Sequence, residues 1–201
     1  MCNDYRDHVL LDDLRAKFSE LRIPVHFPEG APNREPRDDI RITDTGTIVR
    51  ASAEGDQGVE LVARRWSWPG PGSAKPVYNF RSEGREFPVG RCLIIADGFY
   101  EFTTPAPADD APKKRLKDKW LFTMRGEPFF AIAGYCRTDT PVGEAFTMLT
   151  TEPGPDVSPY HSRQIVPLAF KDWMAWLNPA VPASELLRPS PAGTLEVVQV
   201  R

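Results

Sequence analysis

The chain has 201 residues, 41% of them hydrophobic and 10% aromatic, enough to bury a core and too apolar for wholesale disorder. Its net charge of −3 carries none of the broad basic excess usual in nucleic-acid-binding domains, so any such contact has to use a local patch. No run approaches the roughly 20 apolar residues of a membrane span, and Met1-Cys2-Asn3-Asp4-Tyr5-Arg6-Asp7 lacks a signal-peptide core; a cytoplasmic protein without membrane contact is expected.

Leu10, Leu11, Leu14, Phe18 and Leu21 recur at three- and four-residue steps, predicting a helix from His8 to Leu21 that Pro24 ends. Residues 24–41, rich in proline and charge, read as a surface loop. Short extended pieces are expected at 47–50 and 59–63, then strands at Arg91–Ala96, Phe99–Phe102, Trp120–Met124, Phe129–Ala133 and Phe146–Thr150. Asp97-Gly98 carries a hairpin signal between the first two of these strands. Thr103–Lys119 is too polar for core and reads as a mobile excursion. Trp173, Trp176 and Leu177 place a short helix at Phe170–Leu177, and Leu195–Val200 is the last strand. The expectation is an α+β fold, a mainly antiparallel, curved or barrel-like sheet with a few short helices, in a single domain over 1–201.

The three cysteines, Cys2, Cys92 and Cys136, have neither metal-type spacing nor an even count, and no metal or organic cofactor is indicated. Cys92 and Cys136 lie in apolar strand surroundings and read as core thiols. Cys2 is different in kind. Loss of Met1 would place an α-amine and a thiol on neighbouring carbons, a pair that condenses with an aldehyde: the amine forms an imine, and the thiol closes it to a five-membered thiazolidine at high effective molarity. A cysteine at position 2 is nevertheless common by accident, so the case depends on its company.

Four features supply that company. Asn79 and Arg81 lie in a polar cluster, where each could also shape a turn or face solvent. Glu101 shares a strand face with Phe99, an apolar setting that raises a carboxyl pKa, although a solvated edge position is equally consistent. His161 follows a strand and a Pro/Gly loop and is the preferred acid/base among three histidines. Arg65, Trp66 and Trp68 offer the basic and aromatic mixture that binds single strands, though the tryptophans could belong to the core.

In this order the pieces resemble the SOS response-associated peptidase (SRAP) family: an initial Met-Cys, Asn79-Phe80-Arg81-Ser82-Glu83, the Arg91–Glu101 segment ending Ala-Asp-Gly-Phe-Tyr-Glu, Phe130–Gly134, Phe146–Thr151 and a following His161. The resemblance runs from residue 1 to about 177. It implies an abasic-site processing protein of the DNA-damage response that acts as a monomer. Cys2 would be the nucleophile that crosslinks to abasic sites in single-stranded DNA after autoproteolytic loss of Met1. Asn79 would orient the N-terminus and the opened sugar, Glu101 would move protons, His161 would assist ring closure or reversal, and Arg81 would contact a phosphate. Where the family has Gly-Arg after Met-Cys this chain has Asn3-Asp4, with Arg6 the nearby cation that could compensate. Two other classes stay open: a cysteine amidohydrolase or peptidase acting in trans, and a non-covalent single-stranded DNA-binding protein built on Trp66 and Trp68.

Overall fold

The computed structural model describes residues 2–54, 57–72, 75–106 and 115–201. Its elements in chain order begin with β1 (Asp4–Asp7), α1 (Leu11–Glu20), β2 (Val25–His26), β3 (Arg37–Arg41), β4 (Thr45–Ala51) and β5 (Val59–Trp66). Next come β6 (Trp68–Pro69), β7 (Pro76–Val77), β8 (Asn79–Arg81), β9 (Arg91–Ala96), β10 (Gly98–Thr103) and β11 (Asp118–Met124). Then follow β12 (Phe130–Arg137), β13 (Ala145–Thr151), β14 (Gln164–Ile165), β15 (Pro167–Leu168), α2 (Phe170–Leu177) and β16 (Leu195–Gln199). The fold is α+β and mostly sheet, as the sequence pattern implies.

One sheet has the order β16-β11-β10-β1-β3 and is antiparallel throughout. The other runs β14-β13-β12-β9-β4-β5-β2, and β5 also pairs in parallel with β13 through Arg65↔Ala145 and Trp66↔Phe146. That extra pairing joins the two ends of the β13-β12-β9-β4-β5 path and curls the sheet into a partly closed ring. Beyond β5, β8 takes over as the parallel neighbour of β13, with Met148 beside Asn79 and Thr150 beside Arg81. This substitution puts Asn79 at one end of the ring.

Alternation along β9 sorts the interior into two cores. Cys92, Ile94 and Ala96 join the cluster between the two sheets that also holds Cys2, Tyr5, Trp66, Phe99 and Phe122. Leu93 and Ile95 face the second cluster, under Leu14 and Phe18 of α1 and Trp173, Trp176 and Leu177 of α2. Each α2 tryptophan solves its buried N–H locally: Trp176 Nε1 donates to the Cys92 carbonyl at 2.9 Å and Trp173 Nε1 to the Leu168 carbonyl at 3.0 Å. Leu10 and Leu21, which the sequence pattern places in the helix, are the caps flanking α1 and are exposed.

Three expectations need correction. Asp97-Gly98 does not close a hairpin, because β9 pairs with β4 and β12 whereas β10 pairs with β1 and β11. Asp97 is instead the corner between sheets; its carboxylate accepts from Arg6 Nε at 2.9 Å and from the His8 backbone N–H at 3.0 Å. A Cβ at Gly98 would lie 2.6 Å from Leu121 Cδ1 and 3.3 Å from the Phe122 carbonyl oxygen, so a larger residue at this corner would have to displace the Leu121 side chain. The segment read as a loop over 24–41 contains β2 and β3; β3 is an edge strand beside β1, and edge strands carry the charge that hides strand character. The excursion expected over Thr103–Lys119 begins and ends as strand, in β10 and β11, and its residues 107–114 lie outside the described residues.

Candidate active site

Cys2 enters the inter-sheet core just before β1 and is 1% exposed. β1 pairs with β10 in the register Tyr5↔Phe99, so the residues ahead of β1 run past Tyr100 and Glu101. The Cys2 thiol donates to the Asp4 carbonyl at 3.2 Å. Burial, reinforced by the Glu101 charge, pushes this thiol well above its ordinary range, so the sulfur is a protonated thiol and not a thiolate.

Asn79 and Glu101 hold the cysteine by its backbone. The Asn79 side-chain amide donates to the Cys2 carbonyl at 2.7 Å, and the Cys2 N–H is hydrogen-bonded to the Glu101 carboxylate. Glu101, 1% exposed, shares its strand face with Phe99, which stacks on Phe122 at 4.8 Å. Burial raises its carboxyl to about 7, against the pull of the Cys2 hydrogen bond. A group poised there exchanges a proton near neutrality in either direction. The Asn79 Oδ1 is also buried, and no hydrogen-bond partner for it lies among the described residues.

His161 reaches the rim from the loop after β13. Tyr160 packs on Trp120 at 4.7 Å and on Phe122 at 5.3 Å, and Trp120 is the cross-strand partner of Glu101. On its other side the loop is anchored by Arg163, which pairs with Glu83 through Nη1 and Nη2 and donates from Nη2 to the Thr150 carbonyl at 2.9 Å. His161 Nδ1 lies 2.9 Å from the Arg163 backbone N–H and 3.1 Å from the Arg163 carbonyl oxygen, so the Arg163 main chain orients the ring. Burial and neighbouring positive charge, including Lys117, lower the imidazole below 6.5.

A second layer fixes the cysteine strand. Lys119 of β11 donates to Asp4 at 2.8 Å and also to Asp39 of β3, pinning β1 between its neighbours. Burial raises the Asp4 carboxyl to about 6 in spite of Lys119. The carboxylate that looked misplaced beside Cys2 is therefore an internal partner of Lys119. No local pattern could reveal a pairing across 115 positions of chain.

The remaining candidates divide. Arg81 lies two positions along β8 from Asn79, on the same strand face, and is exposed. Arg65 is half-buried at the end of β5, with Nη1 3.3 Å from the Thr43 carbonyl. Arg6 is four positions along the strand from Cys2, roughly 13 Å at the usual rise, and is committed to Asp97, which argues against a compensating contact at Cys2. Trp66 and Trp68 do not present rings to a ligand. Trp66 is fully buried, its Nε1 donating to the Tyr78 carbonyl at 2.8 Å, and Trp68 is 5% exposed. Both are core residues, as strand-spaced aromatics at a sheet junction favour. Among the described residues no group of three or more histidine, cysteine, aspartate and glutamate side chains is arranged to hold a metal ion.

A buried cysteine thiol, a near-neutral carboxyl and an asparagine on the cysteine carbonyl, all at one end of a partly closed β ring, define a thiol site built around the second residue. The family model described as SOS response associated peptidase (SRAP) matches residues 1–201, and the chain belongs to that family. Among curated proteins it is 33% identical over 118 residues to the abasic site processing protein YoqW of Bacillus subtilis (strain 168), covering 55% of this chain and 50% of the relative. It is 34% identical over 122 residues to the abasic site processing protein YoaM of the same organism, covering 55% and 49%. The chain thus matches about half the length of these relatives. A crystal structure of a Bordetella bronchiseptica protein superposes with a TM-score of 0.72 at 22% identity over 100% of both chains. A phage-related protein from that organism gives 0.70 at 21%, over 100% of this chain and 94% of its own. These likenesses establish a shared fold. No helix of the described residues is long and apolar enough to cross a membrane.

Proposed function

We propose that this protein processes abasic sites in DNA, capturing the sugar aldehyde covalently on Cys2. The observation that carries the reading is the double hold on the Cys2 backbone, by Asn79 at its carbonyl and by Glu101 at its N–H. Family membership and the names of the Bacillus relatives support it.

In the first step water adds across the Met1–Cys2 amide and releases methionine, with Glu101 accepting the water proton and returning it to the leaving amine. The Asn79 amide, already on the Cys2 carbonyl, keeps that segment in place. The freed Cys2 amine then attacks C1′ of the open-chain sugar, and the carbinolamine loses one water to give an imine, with protonated Glu101 assisting departure of the hydroxyl. The thiol adds across the C=N bond: sulfur bonds to C1′, its proton passes to nitrogen, and a thiazolidine results. Net, one water is lost per adduct. A thiol that stays protonated suits this order, because the amine attacks first. His161, at the rim, supplies a proton to sugar oxygens during ring opening or takes part in reversal, and exposed Arg81 meets a backbone phosphate. The substrate is single-stranded, since an unpaired sugar can open and enter without unstacking a duplex.

The test incubates processed protein with a single-stranded oligonucleotide carrying one abasic site. A denaturation-resistant adduct is expected, with an intact mass equal to protein lacking Met1 plus oligonucleotide minus one water. Equal adduct from Cys2→Ala would refute the proposal. Peptidase turnover in trans is disfavoured by the protonated thiol, whose hydrogen bond goes to a backbone carbonyl rather than to a base; acyl-enzyme formed on an added amide substrate would restore it.

A further inference from the structure

With Trp66 and Trp68 inside the core, any base stacking near Cys2 has to use other aromatics. Trp120 and Tyr160 border the site. Both are half-buried and pack against the edge of the core cluster that contains Cys2. Trp120 stands opposite Glu101 in the β10–β11 register, and directly opposed residues on one sheet face have Cβ atoms about 5 Å apart. The indole therefore starts about one residue width from the carboxyl, and Tyr160 immediately precedes His161.

The pair is held from beneath and from the side. Trp120 Nε1 donates to Thr103 Oγ1 at 2.8 Å, which fixes the plane of the indole. The Tyr160 ring stands at 90° on Phe122, itself stacked on Phe99, and meets Trp120 at 59°. Their orientations are thus set before any ligand arrives, while both residues remain only partly buried. A fixed aromatic surface gains stacking energy without a large ordering cost. The flank is cationic: Lys117, exposed and close enough to lower the His161 pKa, lies three residues before Trp120, and Arg201 Nε donates to the Lys117 carbonyl. Cations beside an aromatic shelf match a strand that alternates phosphates with base faces.

We infer that Trp120 and Tyr160 form a stacking platform for one unpaired nucleobase, that of the nucleotide next to the abasic sugar on Cys2. The inference rests on the reading that Cys2 receives such a sugar. The platform accepts any of the four bases, since each offers a π face, and disfavours duplex, where both faces of the base are already occupied.

The test uses labelled single-stranded oligonucleotides with a tetrahydrofuran abasic analogue, which has no aldehyde and cannot crosslink. In one the neighbouring nucleotides carry bases; in the other they are also tetrahydrofuran. Wild type is expected to bind the first about 5- to 150-fold more tightly, the range for losing one stacked base. Trp120→Leu should bring that ratio close to one, Trp120→Phe should restore much of it, and Tyr160→Leu should reduce it. A wild-type ratio near one, no measurable binding, or a Trp120→Leu variant that weakens both oligonucleotides by the same factor would overturn the platform. Should Trp120→Leu fail to fold, Trp120→Phe and Tyr160→Leu carry the comparison. Because this binding needs no aldehyde, base preference without adduct formation on a true abasic site would count against Cys2 capture alone.

Discussion

The side-chain amide of Asn79 donates to the main-chain carbonyl of Cys2 across 2.7 Å, joining residues 77 positions apart. Asn79 can do this because β8 continues the place of β5 beside β13, which brings the strand to the end of the ring where the chain enters the core. Asn79→Ala removes the donor and is expected to slow adduct formation about 10- to 100-fold, while costing about 1 kcal/mol of stability, the usual worth of one hydrogen bond. Asn79→Asp should be slower still above pH 6, where an acceptor-only carboxylate would face the Cys2 carbonyl. Single-turnover rates for the two variants test this, and equal rates would sink the positioning role.

Glu101 should leave a pH signature in stability as well as in rate. Its carboxyl is raised to about 7 by burial, so the folded protein holds a proton there that the unfolded chain releases near 4.5. Its contribution to stability is then fully present below about pH 4.5 and is lost as the pH rises through 7. Glu101→Gln, which never ionises, should gain on wild type between pH 4.5 and 8 by up to about 3 kcal/mol. Urea denaturation at pH 5 and pH 8 reads the difference, and a pH-independent gap would contradict the raised carboxyl. The same variant should slow adduct formation about 100-fold or more.

What the sequence made legible follows from the range of each interaction. β9, α2 and β13 are local patterns: apolar runs or helical spacing set by neighbours within a few residues, and their bounds come out at or within a residue of the expected ones. β1 and β3 were illegible because their residues are charged, and their partners, Lys119 for Asp4 and Asp39 and Arg34 for Asp7, are remote in sequence. Asp97-Gly98 misled for a physical reason. The same small, polar pair that serves a two-residue hairpin also serves a tight corner between sheets, and only the pairing of the flanking strands separates the two. Within the site, Cys2, Asn79 and Glu101 were legible through motif content and come together; Trp66 and Trp68 were ambiguous at strand spacing, and burial decides them.

Lys119 joins three strands through two carboxylates, with Asp4 almost fully buried. Lys119→Met would strand the Asp4 charge without its counter-ion and is expected to cost about 3 kcal/mol, in line with breaking one side of a buried pair. Because burial already lifts Asp4 to about 6, the variant's deficit should shrink below pH 5, where Asp4 takes up a proton and no longer needs the cation. Adding Asp4→Asn to Lys119→Met should recover most of the loss. Denaturation of the two single variants and the double variant measures the coupling, and additive losses would show that the pair does not act as a unit.

His161 is set up as a neutral ring at physiological pH. The Arg163 main chain holds Nδ1 through its N–H and carbonyl, and burial with nearby positive charge holds the imidazole below 6.5. The charged form is disfavoured in the folded protein, and the ring takes up a second proton only as the pH falls through the lowered value. With the imidazole moving a proton in sugar ring opening or reversal, His161→Ala should slow the covalent step about 100-fold at pH 7 while leaving affinity for the tetrahydrofuran oligonucleotide within twofold. The acid limb of the wild-type rate profile should then midpoint below pH 6.5 and disappear in the variant, and added imidazole should restore part of the rate. An acid limb that survives in His161→Ala would assign the proton transfer to another group.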